Sequence, residues 1–324
     1  MAPGGRITDV PGIRVGHHTL TERPTGCTVI LTPPNTVGAV DQRGGAPGTR
    51  ETNLLAPENT VSVVHAIVLS GGSAFGLAAA DGVMAYLAEQ KIGYPISGTV
   101  VPIVPAAILL DLAVGGRPDI RPGPDCGYKA AAGATGGAVA EGSVGAGAGA
   151  TVGKFSGRRP MKGGIGSASV RGSNGLIVGA IVAVNASGSV IDPRTGKPVA
   201  GVRTADGMGL EDPFALIRAV GDVIARDMEN TTIGVVATNA RLTKAQALRV
   251  SMMAQDGLAR AIVPSHTPGD GDTLFVLATG ELTDEPSVGR IGALAAEAVS
   301  DAILRAVREA TGLPGFPAVR DLRR

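Results

Sequence analysis

A chain of 324 residues can bury a large core, as one large or two modest domains. Lys and Arg total 29 against 28 Asp and Glu, a formal net charge of +1, so the basic stripe expected of a nucleic-acid binder is missing. Hydrophobic residues make up 44%, aromatics only 2%, and Trp is absent, which argues against wholesale disorder, base stacking and aromatic sugar platforms. Gly supplies 49 residues, about twice the usual share, so the core must be close-packed Ala, Val, Ile and Leu.

Cys27 and Cys126 are too few for a four-ligand zinc site and make at most a sparse disulfide framework. The start, Met1-Ala-Pro-Gly-Gly-Arg6, lacks the charged and apolar regions of a signal peptide. No uninterrupted apolar run reaches the ~20 residues of a membrane span. A cytoplasmic protein without membrane or nucleic-acid partners is expected.

Short β-branched runs alternate with Ala-rich helical stretches, the pattern of stacked sheets covered by helices in one α/β domain, 1–324. Cys27–Leu31 and Thr36–Val40 read as strands around Pro33-Pro34-Asn35, and Ala66–Leu69 as a strand ending in Ser70-Gly71-Gly72. Phe75–Gln90 has helical spacing, with Leu77, Ala80, Val83, Met84 and Leu87 on one side. Val100–Val104 reads as an edge strand because of Pro102. From Ala130 to Gly149 the chain is nearly all Gly and Ala, read as a flexible tract or else as close backbone packing or an anion nest beside a site. Ser167–Arg171 and Leu176–Asn185 flank Ser173-Asn174-Gly175, a hairpin signal. Ser187–Gly201 is loop-like. Asp212-Pro213 opens a helix to about Arg226, Ile233–Thr238 is a strand, and Thr243 caps a helix to Arg260. Thr273–Ala278 reads as a central strand, and Pro286–Ala310 as a long amphipathic helix.

Familiar chemistry fails on inspection. Gly145-Ala-Gly147-Ala-Gly149-Ala150 mimics a dinucleotide fingerprint but lacks the later acidic residue at a strand end. Ser73 sits at a strand-to-helix turn without the second glycine of a nucleophile elbow. There is no phosphate loop and no His-Glu-x-x-His. His17-His18 reads as an exposed loop pair, and a His-based triad would have to draw on His65 or His266.

The informative segment is Met228-Glu229-Asn230-Thr231-Thr232-Ile233, where a hydroxyl residue opens a buried strand. Taken alone, Asn230 is a helix C-cap and Thr231 a good strand residue. Alternatively, the Thr231 hydroxyl attacks the Asn230 carbonyl, water opens the resulting ester, and Thr231 becomes a new N-terminus. Its freed amine, with an ordinary pKa near ~7.7–8.0, would serve as base to its own hydroxyl. Asp270-Gly-Asp272 puts two carboxylates on one side of an extended stretch, where mutual repulsion raises one pKa; an ordinary turn is the alternative. Asn185, ending a strand, is either a turn cap or an oxyanion donor.

Together with Ile7-Thr-Asp-Val-Pro-Gly-Ile-Arg-Val-Gly-His17, Val68-Leu-Ser-Gly-Gly-Ser73-Ala-Phe-Gly-Leu77, Val184-Asn185-Ala186, Asn230-Thr231-Thr232 and Thr267-Pro-Gly-Asp-Gly-Asp-Thr273, these residues stand in family order. The chain resembles the P1 family of autoprocessing peptidases: D-aminopeptidase/esterase, β-peptidyl aminopeptidases and nylon-oligomer hydrolases. The likeness spans about Ile7 to Ala310 and is nearest the nylon-oligomer branch, by its Thr and Asp-Gly-Asp. It implies an αββα sandwich like the N-terminal-nucleophile hydrolases with different connectivity, and self-cleavage into 1–230 and 231–324. It also implies Thr231 as nucleophile cut free after Asn230, Asp270 and Asp272 as the acidic pair, Asn185 as oxyanion donor and Lys154 as a site lysine. The expected reaction is hydrolysis of a small peptide or amide without metal or organic cofactor, by chains that stay associated and form homo-oligomers. Leu110 stands where relatives often have Tyr, so no phenolic contact transfers. Two alternatives remain open: an acyltransferase of ornithine-acetyltransferase type, and an unprocessed small-molecule binding protein.

Overall fold

A computed structural model describes residues 5–155, 159–219, 230–282 and 287–323. Two five-stranded sheets stack face to face between two layers of helices. The first sheet runs Arg14–Thr19, Gly26–Leu31, Ala66–Ser70, Ala106–Ile108, Thr49–Arg50. The second runs Gly164–Arg171, Ile177–Asn185, Thr231–Ala240, Thr273–Leu282, Val37–Gln42. Neighbours are antiparallel except for one parallel pair in each sheet: Ala66–Ser70 with Ala106–Ile108, and Thr231–Ala240 with Thr273–Leu282.

The period-2 alternation of strand side chains separates the layers. Ile177, Ile181 and Ala183 face the first sheet and pack with Ile30, Ile67, Leu69 and Phe275. Their neighbours Val178, Ala180, Val182 and Val184 face outward onto α4 (Lys244–Ala261) and α5 (Val288–Arg308). Cys27, Val29, Leu31 and Val68, on the outer face of the first sheet, pack under α1 (Ala79–Glu89) and α2 (Pro124–Ala132). A disulfide joins Cys27 to Cys126 across that last layer, closing a loop of sequence separation 99. The expected αββα sandwich is therefore present, and no helix among the described residues is long and apolar enough to cross a membrane.

Several local expectations hold. Asn174 and Gly175 adopt φ of 61° and 75° between Gly164–Arg171 and Ile177–Asn185, as a tight hairpin loop requires. Asp212 caps α3 (Pro213–Ala219), and Thr243 forms a reciprocal capping box with Gln246. The expected continuation of α3 to Arg226 and the start of α5 at Pro286 lie outside the described residues; Ser287 caps α5.

Others need correction. Ser187–Gly201 is a hairpin, Ser189–Asp192 with Lys197–Ala200, because Ser189 and Val190 also pair with Ile262–Val263 and are buried. Phe75–Gln90 begins as a 3-10 turn, Ser73–Ala78, leaving Phe75 exposed before α1. Val100–Val104 contributes only Thr99–Val101 to a small hairpin with Tyr94–Ile96, while the sheet strand is Ala106–Ile108, after both prolines. His17 and His18 are half-buried on Arg14–Thr19 rather than in a loop, and burial pulls His17 down to about 4. The later part of the Gly-Ala tract, from Gly142, is packed, while most of residues 132–140 are exposed. A Cβ on Gly147 would lie 2.3 Å from the Ile165 amide, and the Gly145 and Ala146 amides donate to the Thr19 and Thr28 hydroxyls, which leaves no anion nest there.

Candidate active site

Three chain segments converge at one end of the second sheet because of their directions. Thr231 opens Thr231–Ala240. The antiparallel neighbour Ile177–Asn185 ends there, with Asn185 opposite Thr231. The parallel neighbour starts there, so its leading loop, Asp270-Gly271-Asp272, arrives at the same place, with Asn230 bridged to Asp270. Asn185, Asn230, Thr231, Asp270 and Asp272 are all at most 4% exposed.

The peptide linking Asn230 to Thr231 is held on both sides. The Thr231 hydroxyl hydrogen-bonds to the Asn230 carbonyl oxygen, and the Gly271 N–H donates to that same oxygen at 3.1 Å. A Cβ on Gly271 would sit 3.0 Å from Thr231 Oγ1 and 3.2 Å from its methyl carbon, so glycine is what admits the threonine this closely. The acidic loop is fastened from behind, since Arg43 and Ala46 donate backbone N–H groups to the Asp272 and Asp270 carbonyls at 3.0 and 2.8 Å.

The two carboxylates have unequal surroundings. Asp272 accepts from the Thr232 N–H at 2.7 Å through Oδ1, and from the His266 N–H and Nδ1 at 3.0 and 2.8 Å through Oδ2. Asp270 accepts from the Thr267 N–H at 2.7 Å. Burial first, and the charge of Asp272 second, push the Asp270 carboxyl up to about 6, with Thr267 and Lys154 opposing in part.

Asn185 is oriented at both ends of its amide. Its Oδ1 accepts from the Thr151 N–H at 2.9 Å and the Lys154 ammonium at 3.0 Å, while Nδ2 donates to the Leu110 carbonyl at 2.9 Å. Lys154 also bonds the Asn185 backbone carbonyl, so it joins this cluster rather than standing apart on the surface. The Leu110 carbonyl is steadied by its neighbour Asp111, whose buried carboxylate takes the Arg23 guanidinium at 2.8 Å, the Thr25 hydroxyl at 2.6 Å and the Gly72 N–H at 2.9 Å. Below the same wall the fully buried Lys162 donates to the Gly147, Ala150 and Gly163 carbonyls, and burial draws its pKa down to about 7.

Every site residue expected from the sequence thus gathers at one strand end. The Gly271 amide, the Leu110 carbonyl and the Arg23–Asp111 pair carry no sequence signal, because backbone groups and buried ion pairs look like ordinary turn and core residues. His266 does not form a triad with Thr231; it bonds Asp272. His65 stands apart, accepting the Ile103 N–H on Nδ1. Among the described residues, no group of three or more His, Cys, Asp or Glu could hold a metal ion.

Paired sheets under helices, with a polar cluster at the end of a central strand, are the architecture of the N-terminal-nucleophile hydrolase fold type. The fold matches, with a TM-score of 0.74 over 99% of this chain and 92% of the other, the L-aminopeptidase D-Ala-esterase/amidase of Ochrobactrum anthropi, described as a variant of that fold, at 19% identity. The chain belongs to peptidase family S58, whose model matches residues 5–320. It is 45% identical to an uncharacterized aminopeptidase of Mycobacterium bovis, over 98% of this chain and 97% of that one. It is 32% identical to a 6-aminohexanoate-oligomer endohydrolase of Agromyces, over 92% of this chain and 84% of that one. It is a hydrolase of peptide or amide bonds.

Proposed function

We propose that the chain is a single-domain precursor that cleaves itself between Asn230 and Thr231, and that Thr231 is then the nucleophile for peptide or linear amide substrates. The observation that carries this is the Asn230 carbonyl oxygen held between the Thr231 hydroxyl and the Gly271 N–H. The attacking atom lies against the group it attacks, and a donor is in place for the negative charge that develops. The Thr231 oxygen bonds to the Asn230 carbonyl carbon, the C–N bond breaks, and the hydroxyl proton passes through Asp270 to the departing nitrogen. Water opens the ester, leaving chains 1–230 and 231–324 associated.

In turnover the freed α-amine takes the hydroxyl proton as Thr231 attacks the substrate carbonyl and returns it to the leaving amine. Asp270 and Asp272 orient that amine, and the Asn185 amide, set by Lys154 and Leu110, faces the substrate oxyanion. Relatives named as an aminopeptidase and an oligomer endohydrolase support hydrolysis over acyl transfer. They point to a short peptide with a free amino end or an ω-amino-acid oligomer as substrate.

The test is acid quenching during turnover, followed by peptide mapping. A substrate-derived acyl group should appear on the peptide that begins with Thr231, and Thr231→Ala should stay whole and inactive while Thr231→Ser retains both steps. Amide hydrolysis by purified Thr231→Ala would overturn the assignment.

A further inference from the structure

His266 spends both of its short-range donors on one atom. Its backbone N–H and its ring Nδ1 lie 3.0 and 2.8 Å from Asp272 Oδ2. An ionised carboxylate only accepts, so the ring nitrogen facing it carries the hydrogen and the other ring nitrogen is bare in the neutral form. The residue does this from φ of 57°, in the left-handed region that His, Asn and Asp enter more readily than other side chains. The other oxygen of Asp272 takes the Thr232 N–H, one residue beyond Thr231. Three donors from two segments therefore fix Asp272, whereas Thr267 alone serves Asp270.

We propose that His266 is a positioning residue of the reaction: it fixes the Asp272 carboxylate on the strand end that carries Thr231, so that Asp270 is the carboxyl that carries the mobile proton. This rests on Thr231 being the nucleophile. The division of labour answers a problem set by the pair itself. Two buried carboxylates two residues apart cannot both give and take a proton without the position of the charge becoming indefinite. His266 settles which one stays charged. Among the described residues, the Asp272 carboxylate is faced by His266, the Thr232 amide and the Asp270 carboxyl. From the loop behind, Arg43 offers its backbone N–H to the Asp272 carbonyl, while its guanidinium is turned to Asp41 at 2.6 Å. Lys154 acts on the Asp270 side. The carboxylate so fixed bonds the amide of Thr232, one residue beyond the nitrogen that becomes the α-ammonium after cleavage.

The experiment follows the rate of self-cleavage against pH in refolded precursor. His266→Gly removes the imidazole without straining a left-handed backbone, and His266→Asn places an amide N–H where Nδ1 stood and tolerates the same φ. Losing a hydrogen bond to an ionised group weakens ionisation of the pair, so the acid limb should move about one pH unit towards alkaline in His266→Gly. The limb should stay in place in His266→Asn, and added imidazole should return it in the glycine variant. An unshifted limb in His266→Gly, or equal shifts in both variants, would overturn the proposal. Nitrogen NMR of the uncleaved Thr231→Ala precursor needs no change at His266. It should show the Nδ1–H form across the whole acid limb, and a bare Nδ1 there would contradict the proposal. Failure of the unsubstituted chain to cleave at any pH would instead count against Thr231 as nucleophile.

Discussion

Removing the charge of Asp270 should stabilise the precursor while abolishing its chemistry. Burial and the neighbouring Asp272 lift this carboxyl from 3.8 to about 6, so at pH 8 its charge costs the folded chain about 3 kcal/mol relative to the unfolded one. The folded state holds the proton more tightly, so this part of the stability is present below pH ~4 and is lost as pH rises through about 6. Asp270→Asn keeps an oxygen for the Thr267 N–H, and the stronger bond to the charged acceptor is already contained in that shift. The net gain expected is about 3 kcal/mol at pH 8 and close to none at pH ~3, where the acid is mostly neutral in both states. Urea unfolding of Thr231→Ala with and without Asp270→Asn at both pH values measures it, because the first substitution keeps all molecules uncleaved. A double variant less stable than its parent at pH 8 would refute the electrostatic account of the acidic pair.

Gly271→Ala places a methyl 3.0 Å from Thr231 Oγ1 on a backbone that any residue can adopt. Self-cleavage should slow about tenfold or more, as seen by time-resolved denaturing gels, and because the same methyl would lie 2.9 Å from the Ala46 carbonyl oxygen the melting temperature should fall as well. Cys126→Ser opens the link between the first sheet and α2, and loop-closure entropy for a separation of 99 residues puts the loss at up to about 5 kcal/mol. Matching unfolding curves with and without reductant would show that the link contributes nothing. Lys154→Met should weaken turnover by freeing the Asn185 amide, and the same lysine lowers the Asp270 pKa, so the acid limb of turnover should also move towards alkaline.

Strands were legible where apolar runs were long, as in Ile177–Asn185 and Thr231–Ala240, because burial on both faces demands uninterrupted Val, Ile and Ala. The three-residue strand Ala106–Ile108 and the hairpin after Ser187 escaped notice, because their pairing partners are distant in sequence and their local residues include proline and glycine. At the site, Thr231, Asp270, Asp272 and Asn185 could be picked out because side-chain chemistry advertises itself. What gives them geometry did not: the Gly271 N–H, the Leu110 carbonyl and the Thr151 amide are backbone groups present at almost every residue, and only the sheet register selects them. His266 stood between the two cases. Its residue type was visible, but its partner is set by a left-handed turn that the sequence His-Thr-Pro does not announce.

Intact-protein mass spectrometry under denaturing conditions addresses the nucleophile most directly. Scaled from 32.3 kDa, the account predicts two species of about 23 and 9 kDa, the smaller beginning at Thr231, and a single uncleaved mass for Thr231→Ala. A full-length mass that persists through prolonged incubation of the unsubstituted chain, or a cut at any other bond, would contradict it.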